Sequence, residues 1–250
     1  MPDRRTLLLG VPVDVYAPDE LLAELGKALH LEGAKTILAT NSEKIMLARR
    51  DPDLLRALHG ADFLIPDGIG AVFGLRWLRG EKAARITGID LMEQLLGMAE
   101  RGGYRVFLFG ARPEVVQNAA SETLRRHPLL NLVGHKDGYV RETEYGALIE
   151  DINGLGTDIL FVGLGSPKQE KWLHEHKPLL KARICMGVGG SMDILSGRIS
   201  RSPRWLRSVG LEWFYRFLKE PARFWRRVLT VFRYAFAVLE EKIASPGLQK

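Results

Sequence analysis

The chain has 250 residues, 46% of them hydrophobic and 26% charged, with a formal net charge of +6, which is the balance of a soluble globular protein. One cysteine, Cys185, stands in the apolar run Ile184 to Met186; this excludes a disulfide framework and a cysteine-based zinc site and fits a reducing compartment. The charge is uneven, because residues 198–250 hold twelve Lys and Arg against four Glu, a local +8 that leaves −2 for residues 1–197. Ten of the 21 aromatic residues also lie in that tail, so a boundary is expected near residue 197. At the other end, the apolar run after Arg4 and Arg5 stops at Gly10 and Asp14, too short for a signal peptide.

In chain order, Thr6 to Val13 reads as one or two short strands and Asp19 to Leu31 as a helix. The strand Thr36 to Ala39 ends in Thr40-Asn41-Ser42-Glu43 and a helix to about Arg50; Asp51-Pro52 then caps a helix to about His59. Ala61 to Ile65 is a strand that ends at Pro66-Asp67-Gly68-Ile69-Gly70, before a helix to Leu78. A loop with Arg79, Lys82 and Arg85 leads to Thr87-Gly88-Ile89-Asp90 and a helix to about Arg101. Strands at Tyr104 to Phe109 and Leu132 to His135 flank a helix from Pro113 to Arg126, and Glu142 to Asn153 is helical. The run Ile159 to Val162 turns at Gly163 and Gly165, and Pro167 opens a further helix. The last strand, Ala182 to Met186, ends at Gly187-Val188-Gly189-Gly190.

This alternation predicts an α/β, Rossmann-like, mainly parallel sheet with helices on both faces, occupying residues 1–197. Ligands of such sheets sit beyond the carboxyl ends of the strands, where the turns at Asn41, Asp67, Gly110, Gly163 and Gly187 fall. Gly163 and Gly165 let the backbone approach a ligand, and a helix start beside them offers free N–H groups to phosphate; an ordinary βα turn is the other reading.

Asp67 is the leading carboxylate, placed either to act in the crevice or to cap the helix behind it. Asn41, Gln169 and Asp193 stand in comparable turns, able to hydrogen-bond a sugar or base, or simply to form the turn. Arg85 offers a bidentate fork to a diphosphate, or a solvated charge. Asp51-Pro52-Asp53 matches a metal-holding D-x-D spelling, but Asp51 is explained as a cap; the pair His174 and His176 cannot share a helix face and reads as surface. No metal site is expected.

From Arg223 to Glu241, Arg223, Arg226, Arg227, Thr230 and Arg233 recur at helical spacing among Phe224, Trp225, Val228, Leu229, Phe232, Phe236 and Leu239. The arginines interrupt any spanning run, so this basic amphipathic helix is expected to lie on a surface: anionic lipid, the protein's own core, or single-stranded nucleic acid.

Taken together and in order, these motifs resemble the bacterial WecG/TagA/CpsF family of glycosyltransferases. The matching pieces are Thr40-Asn41-Ser42-Glu43, Asp67-Gly68, Arg85 through Leu91, Gly165-Ser166-Pro167-Lys168-Gln169-Glu170, and Gly187 through Asp193 to Gly197. In the tail they are Arg201-Ser202-Pro203-Arg204-Trp205 and Glu212 through Arg216 to Glu220-Pro221-Ala222-Arg223. The resemblance implies metal-independent, inverting transfer of a sugar, typically N-acetylmannosamine or its uronic acid, from a UDP donor to a polyprenyl-diphosphate-linked saccharide at the cytoplasmic face of the membrane. It needs no cofactor and no nucleic acid, and serves surface-polymer or teichoic acid synthesis. It implies Asp67 as general base, Arg85 as the cation for departing UDP, and Asn41 and Gln169 near the donor sugar, beside Gly163, Gly165, Gly187 and Asp193 of the crevice. Arg216, Arg223 and Arg226 match an appendage, residues 198–250, that closes over the site and meets the membrane. Ala39 replaces a threonine of some members, which leaves UDP-N-acetylmannosaminuronate and UDP-glucose as other donors. A nucleotide-binding protein without chemistry, docking through its tail, is the reading from another class, and tail-mediated self-association is a further expectation.

Overall fold

The computed structural model describes residues 4–199 and 221–244, with side chains of the last segment from Val228 onward. Its frame is a six-stranded, wholly parallel sheet of β3 (Lys35–Thr40), β4 (Phe63–Pro66), β5 (Arg105–Gly110), β6 (Asn131–Lys136), β7 (Ile159–Gly163) and β8 (Ile184–Gly187), ordered β4-β3-β8-β7-β5-β6. A hairpin of β1 (Arg5–Leu8) and β2 (Val11–Asp14) stands beside it, and its turn at Leu9 and Gly10 has positive φ at both residues, the twist that two-residue hairpins favour.

Why the strands read as unbroken apolar runs is plain from their two faces. Leu38, Leu64, Phe107, Leu160 and Cys185 face one core; Ile37, Phe63, Leu108, Phe161 and Met186 face the other. Successive side chains point to opposite sides, so a strand covered on both sides is apolar along most of its length, with Thr36 and Thr40 the buried polar positions of β3. The first core is closed by α2 (Ser42–Ala48), α3 (Pro52–His59), α4 (Ile69–Arg79), α7 (Tyr145–Gly154), α8 (Lys168–His176) and α10 (Pro221–Ala244). The second is closed by α1 (Pro18–Ala28), α5 (Gly88–Gly102), α6 (Pro113–Arg126) and the five-residue α9 (Ser191–Leu195).

One expectation needs correcting. His176 is not a bare surface residue: its ring stacks on Trp172 with centroids 4.9 Å apart, and its Nδ1 lies 2.8 Å from the Trp172 carbonyl one helical turn back. After the strand-end turn Gly187–Gly190, Ser191–Leu195 form α9.

The last helix packs against α2 and α4. Tyr234, Ala237 and Val238 are buried there, and the Tyr234 hydroxyl donates to the Gly70 carbonyl at 2.9 Å. The notch that admits the ring exists because Gly74 lacks a side chain, since a methyl there would collide with the Tyr234 hydroxyl. An ion pair from Arg79 to Glu241 adds a second tie. The opposite side of the helix, with Leu229, Phe232, Phe236 and Ile243, is exposed, as are Ile69, Phe73 and Trp77 on neighbouring α4. Among the described residues no helix is long and apolar enough to cross a membrane.

Candidate active site

Because all six strands run the same way, their carboxyl ends lie along one edge, and four adjacent strands deliver the expected residues to it. From the outer strand inward these are Asp67 after β4, Asn41 after β3, the turn Gly187–Gly190 after β8, and Gly163 to Gly165 after β7. The connections after β7 and β5 leave in opposite directions, and crevices open in parallel sheets where strand order reverses in this way. There Gly110 and Gly163 are paired so closely that a Cβ on Gly110 would stand 2.5 Å from the Gly163 carbonyl group.

Asp67 does not cap the helix that follows it. Gly68, at φ 122°, takes the cap position of α4, and the half-buried Asp67 carboxylate instead accepts the Gly88 N–H (3.1 Å), the first N–H of α5. Its own N–H donates to the Thr40 carbonyl at 2.8 Å, which ties the turn after β4 to the end of β3. The loop before α5 returns to the same place, since the Ile86 N–H donates to the Pro66 carbonyl (3.1 Å) and so sets the half-buried Arg85 beside the Asp67 turn. Ser191, which sequence reasoning did not single out, joins the group: a Cβ on Gly88 would lie 3.6 Å from Asp67 Oδ2 and 3.9 Å from Ser191 Oγ.

Asn41 is the cap of α2, with its Oδ1 accepting the Lys44 N–H at 2.9 Å; the cap uses the oxygen and leaves the NH2 group to other partners. A Cβ on Gly68 would be 3.6 Å from the Asn41 Cβ, so the asparagine adjoins the Asp67 turn. Gln169 is only 3% exposed, and its amide is engaged within the protein: Oε1 accepts the Gly189 N–H and Nε2 donates to Glu170 Oε1, each at 2.9 Å. It underlies the glycine turn rather than projecting past it.

Gly163 packs tightly, its missing Cβ position lying 3.0 Å from Met192 Sδ and 3.2 Å from the Gly189 carbonyl; Gly165 faces open space at φ 77°, so glycine is needed there for the backbone alone. Asp193 is half-buried and accepts from Arg198 at 3.0 Å. Arg216 lies outside the described residues, and Arg223 and Arg226 belong to α10 at positions whose side chains do as well.

The Asp51-Pro52-Asp53 spelling is spent on helix chemistry. Asp51 caps α3 by accepting the Leu54 N–H (3.1 Å) and is held below the usual carboxylate range by Lys171 at 2.8 Å, while Asp53 pairs with Arg56. Among the described residues no group of three or more His, Cys, Asp or Glu side chains is placed to hold a metal ion.

Residues 6–247 match the model of the glycosyl transferase WecG/TagA/CpsF family. Two curated relatives carry the name N-acetylglucosaminyldiphosphoundecaprenol N-acetyl-beta-D-mannosaminyltransferase. That of Bacillus subtilis strain 168 is 36% identical over 206 residues, covering 82% of this chain and 79% of the relative. That of Bacillus spizizenii is 36% identical over 209 residues, covering 84% and 80%. On the family match and these identities, the chain belongs to the WecG/TagA/CpsF family of glycosyl transferases.

Proposed function

We propose that this chain transfers N-acetylmannosamine from a UDP donor to N-acetylglucosamine carried on a polyprenyl diphosphate. The observation that carries the reading is the 36% identity to two transferases named for that sugar and acceptor, over a chain whose Asp67, Asn41 and glycine turns line one sheet edge. Asp67 is the proposed general base. It takes the proton of the acceptor hydroxyl as that oxygen bonds to the anomeric carbon, while the bond from that carbon to the UDP oxygen breaks and UDP leaves with the electron pair. Attack opposite the leaving group inverts the anomeric centre. Arg85, pinned beside the same strand end, is the proposed counter-charge for the departing diphosphate. Asn41 offers its free NH2 to the donor, and Gln169 acts by holding the Gly187–Gly190 turn.

The acceptor is a lipid, and the exposed apolar side of α10 supports a peripheral seat on the cytoplasmic face of the membrane. Leu229, Phe232, Phe236 and Ile243 recur at helical spacing on the side turned away from Tyr234 and Val238, which suits insertion at headgroup depth. Titration calorimetry with UDP and a panel of UDP-sugars, with and without EDTA, tests the donor: binding that survives EDTA and favours UDP-N-acetylmannosamine is expected, and no UDP binding would overturn the reading. For the membrane seat, flotation with anionic vesicles should recover the full chain and lose Phe232→Ser/Phe236→Ser; equal flotation of both would refute it.

A further inference from the structure

Lys44 and Glu170 form an ion pair inside the molecule, 2.6 Å from Nζ to Oε1, with side chains 7% and 0% exposed. Burying two charges costs more than the pair returns unless further bonds use it, and apolar residues of like volume would serve stability at least as well. The bonds made by this pair lead to the site. Lys44 Nζ also donates to the Ala39 carbonyl, just before Asn41, and the Lys44 N–H holds Asn41 Oδ1. Glu170 Oε1 accepts from Gln169 Nε2 as well as from Lys44. The other end of that amide accepts the Gly189 N–H, and a Cβ on Gly187 would stand 3.0 Å from its Nε2.

We propose that the Lys44–Glu170 pair is a positioning device of the donor site: it fixes the orientation of the Gln169 amide and, through it, the Gly187–Gly190 turn in register with Asn41. The two partners of Gln169 demand the same orientation. Turned over, the amide would set its NH2 against the Gly189 N–H and its oxygen against a carboxylate. Lys44 sets a positive charge against the same Glu170 oxygen that accepts from the Gln169 amide. Both residues are positioning residues, since each acts through Gln169 or Asn41. This inference rests on the transferase reading above, in which that edge binds the UDP-sugar.

The test is the double variant Lys44→Met/Glu170→Met beside Lys44→Met/Glu170→Gln, each checked for folding by its melting temperature. The first removes both charges and leaves Gln169 Nε2 without an acceptor; the second removes both charges but restores a neutral carbonyl. The expected result is a donor kcat/KM lower by roughly 10- to 100-fold in the first, the scale of a misplaced binding group, with most of it recovered in the second. An unchanged kcat/KM in a folded Lys44→Met/Glu170→Met protein would overturn the proposal, and so would equal losses in both variants. A second arm uses the unmodified protein: the Gln169 side-chain NH2 protons should exchange with solvent far more slowly in NMR spectra than those of a free glutamine. Free-glutamine exchange would overturn the proposal whether or not a variant folds. An unmodified protein that transfers no sugar while its Gln169 amide is protected would instead count against the transferase reading.

Discussion

Replacing Asp67 by asparagine separates its chemical role from its structural one. The Asp67 carboxylate accepts the Gly88 N–H at 3.1 Å, and asparagine of the same shape can accept that bond through its own carbonyl oxygen. The backbone bond from Asp67 to Thr40 is untouched by the change. Exchanging a charged acceptor for a neutral one is worth about 1 kcal/mol, so the variant should fold and bind UDP as before. What it loses is a base. Positioned proton transfer contributes about 10²- to 10⁴-fold, which at about 1.4 kcal/mol per decade places the added barrier near 3–5 kcal/mol. Turnover with UDP-N-acetylmannosamine and a lipid-linked acceptor, beside UDP calorimetry on the same samples, measures both quantities. A kcat within about threefold of the unmodified protein, far below the lower bound for a general base, would refute the assignment. A large loss of UDP binding or stability would show that the carboxylate chiefly holds α5 in place.

Gly74→Ala should dislodge α10, since its methyl meets the Tyr234 hydroxyl and lies 3.0 Å from a Leu8 methyl; cleavage by protease within residues 221–244 should quicken while the body stays intact, and an unchanged pattern would contradict the docking. Asp62 bonds Thr36 N–H at 2.8 Å and Lys177 at 2.6 Å; burial alone would raise its carboxyl, but Lys177 and the Thr36 N–H outweigh it and hold the group below the usual range. A depressed folded value means that its stabilisation is present above the unfolded value of about 4 and is lost as pH falls through the folded one. Urea unfolding of Asp62→Asn should therefore show a deficit of about 1–3 kcal/mol at pH 7 that shrinks by pH 3, and a deficit growing in acid would contradict the sign. Burial pushes the Cys185 thiol up to about 12, so thiol reagents should leave the native protein unlabelled at pH 7.5 and label it once unfolded.

The strand-and-turn skeleton was legible because each parallel strand is an apolar run bounded by glycine or a polar residue, and both features are local. Pro52, Pro113 and Asp51 marked helix starts for equally local reasons. What the sequence concealed depends on contact between distant segments. For Asp67 the sequence left open a crevice carboxylate or a cap of its own helix, and could not show its bond from the Gly88 N–H across the returning loop. The charges of Lys44 and Glu170 suggest exposure, and only the folded chain reveals them as a buried pair. His176 was readable in principle, one turn after Trp172. For α10 the amphipathic pattern was plain in sequence, but which side docks was settled by the Gly70 and Gly74 notch on α4.

Sugar transfer is met directly by incubation of the chain with UDP-N-acetylmannosamine and N-acetylglucosamine on a polyprenyl diphosphate, followed by mass spectrometry of the lipid. A lipid heavier by one N-acetylhexosamine is expected, formed with EDTA present and absent from the Asp67→Asn reaction. An unchanged lipid, with the donor demonstrably bound, would contradict the proposed transfer.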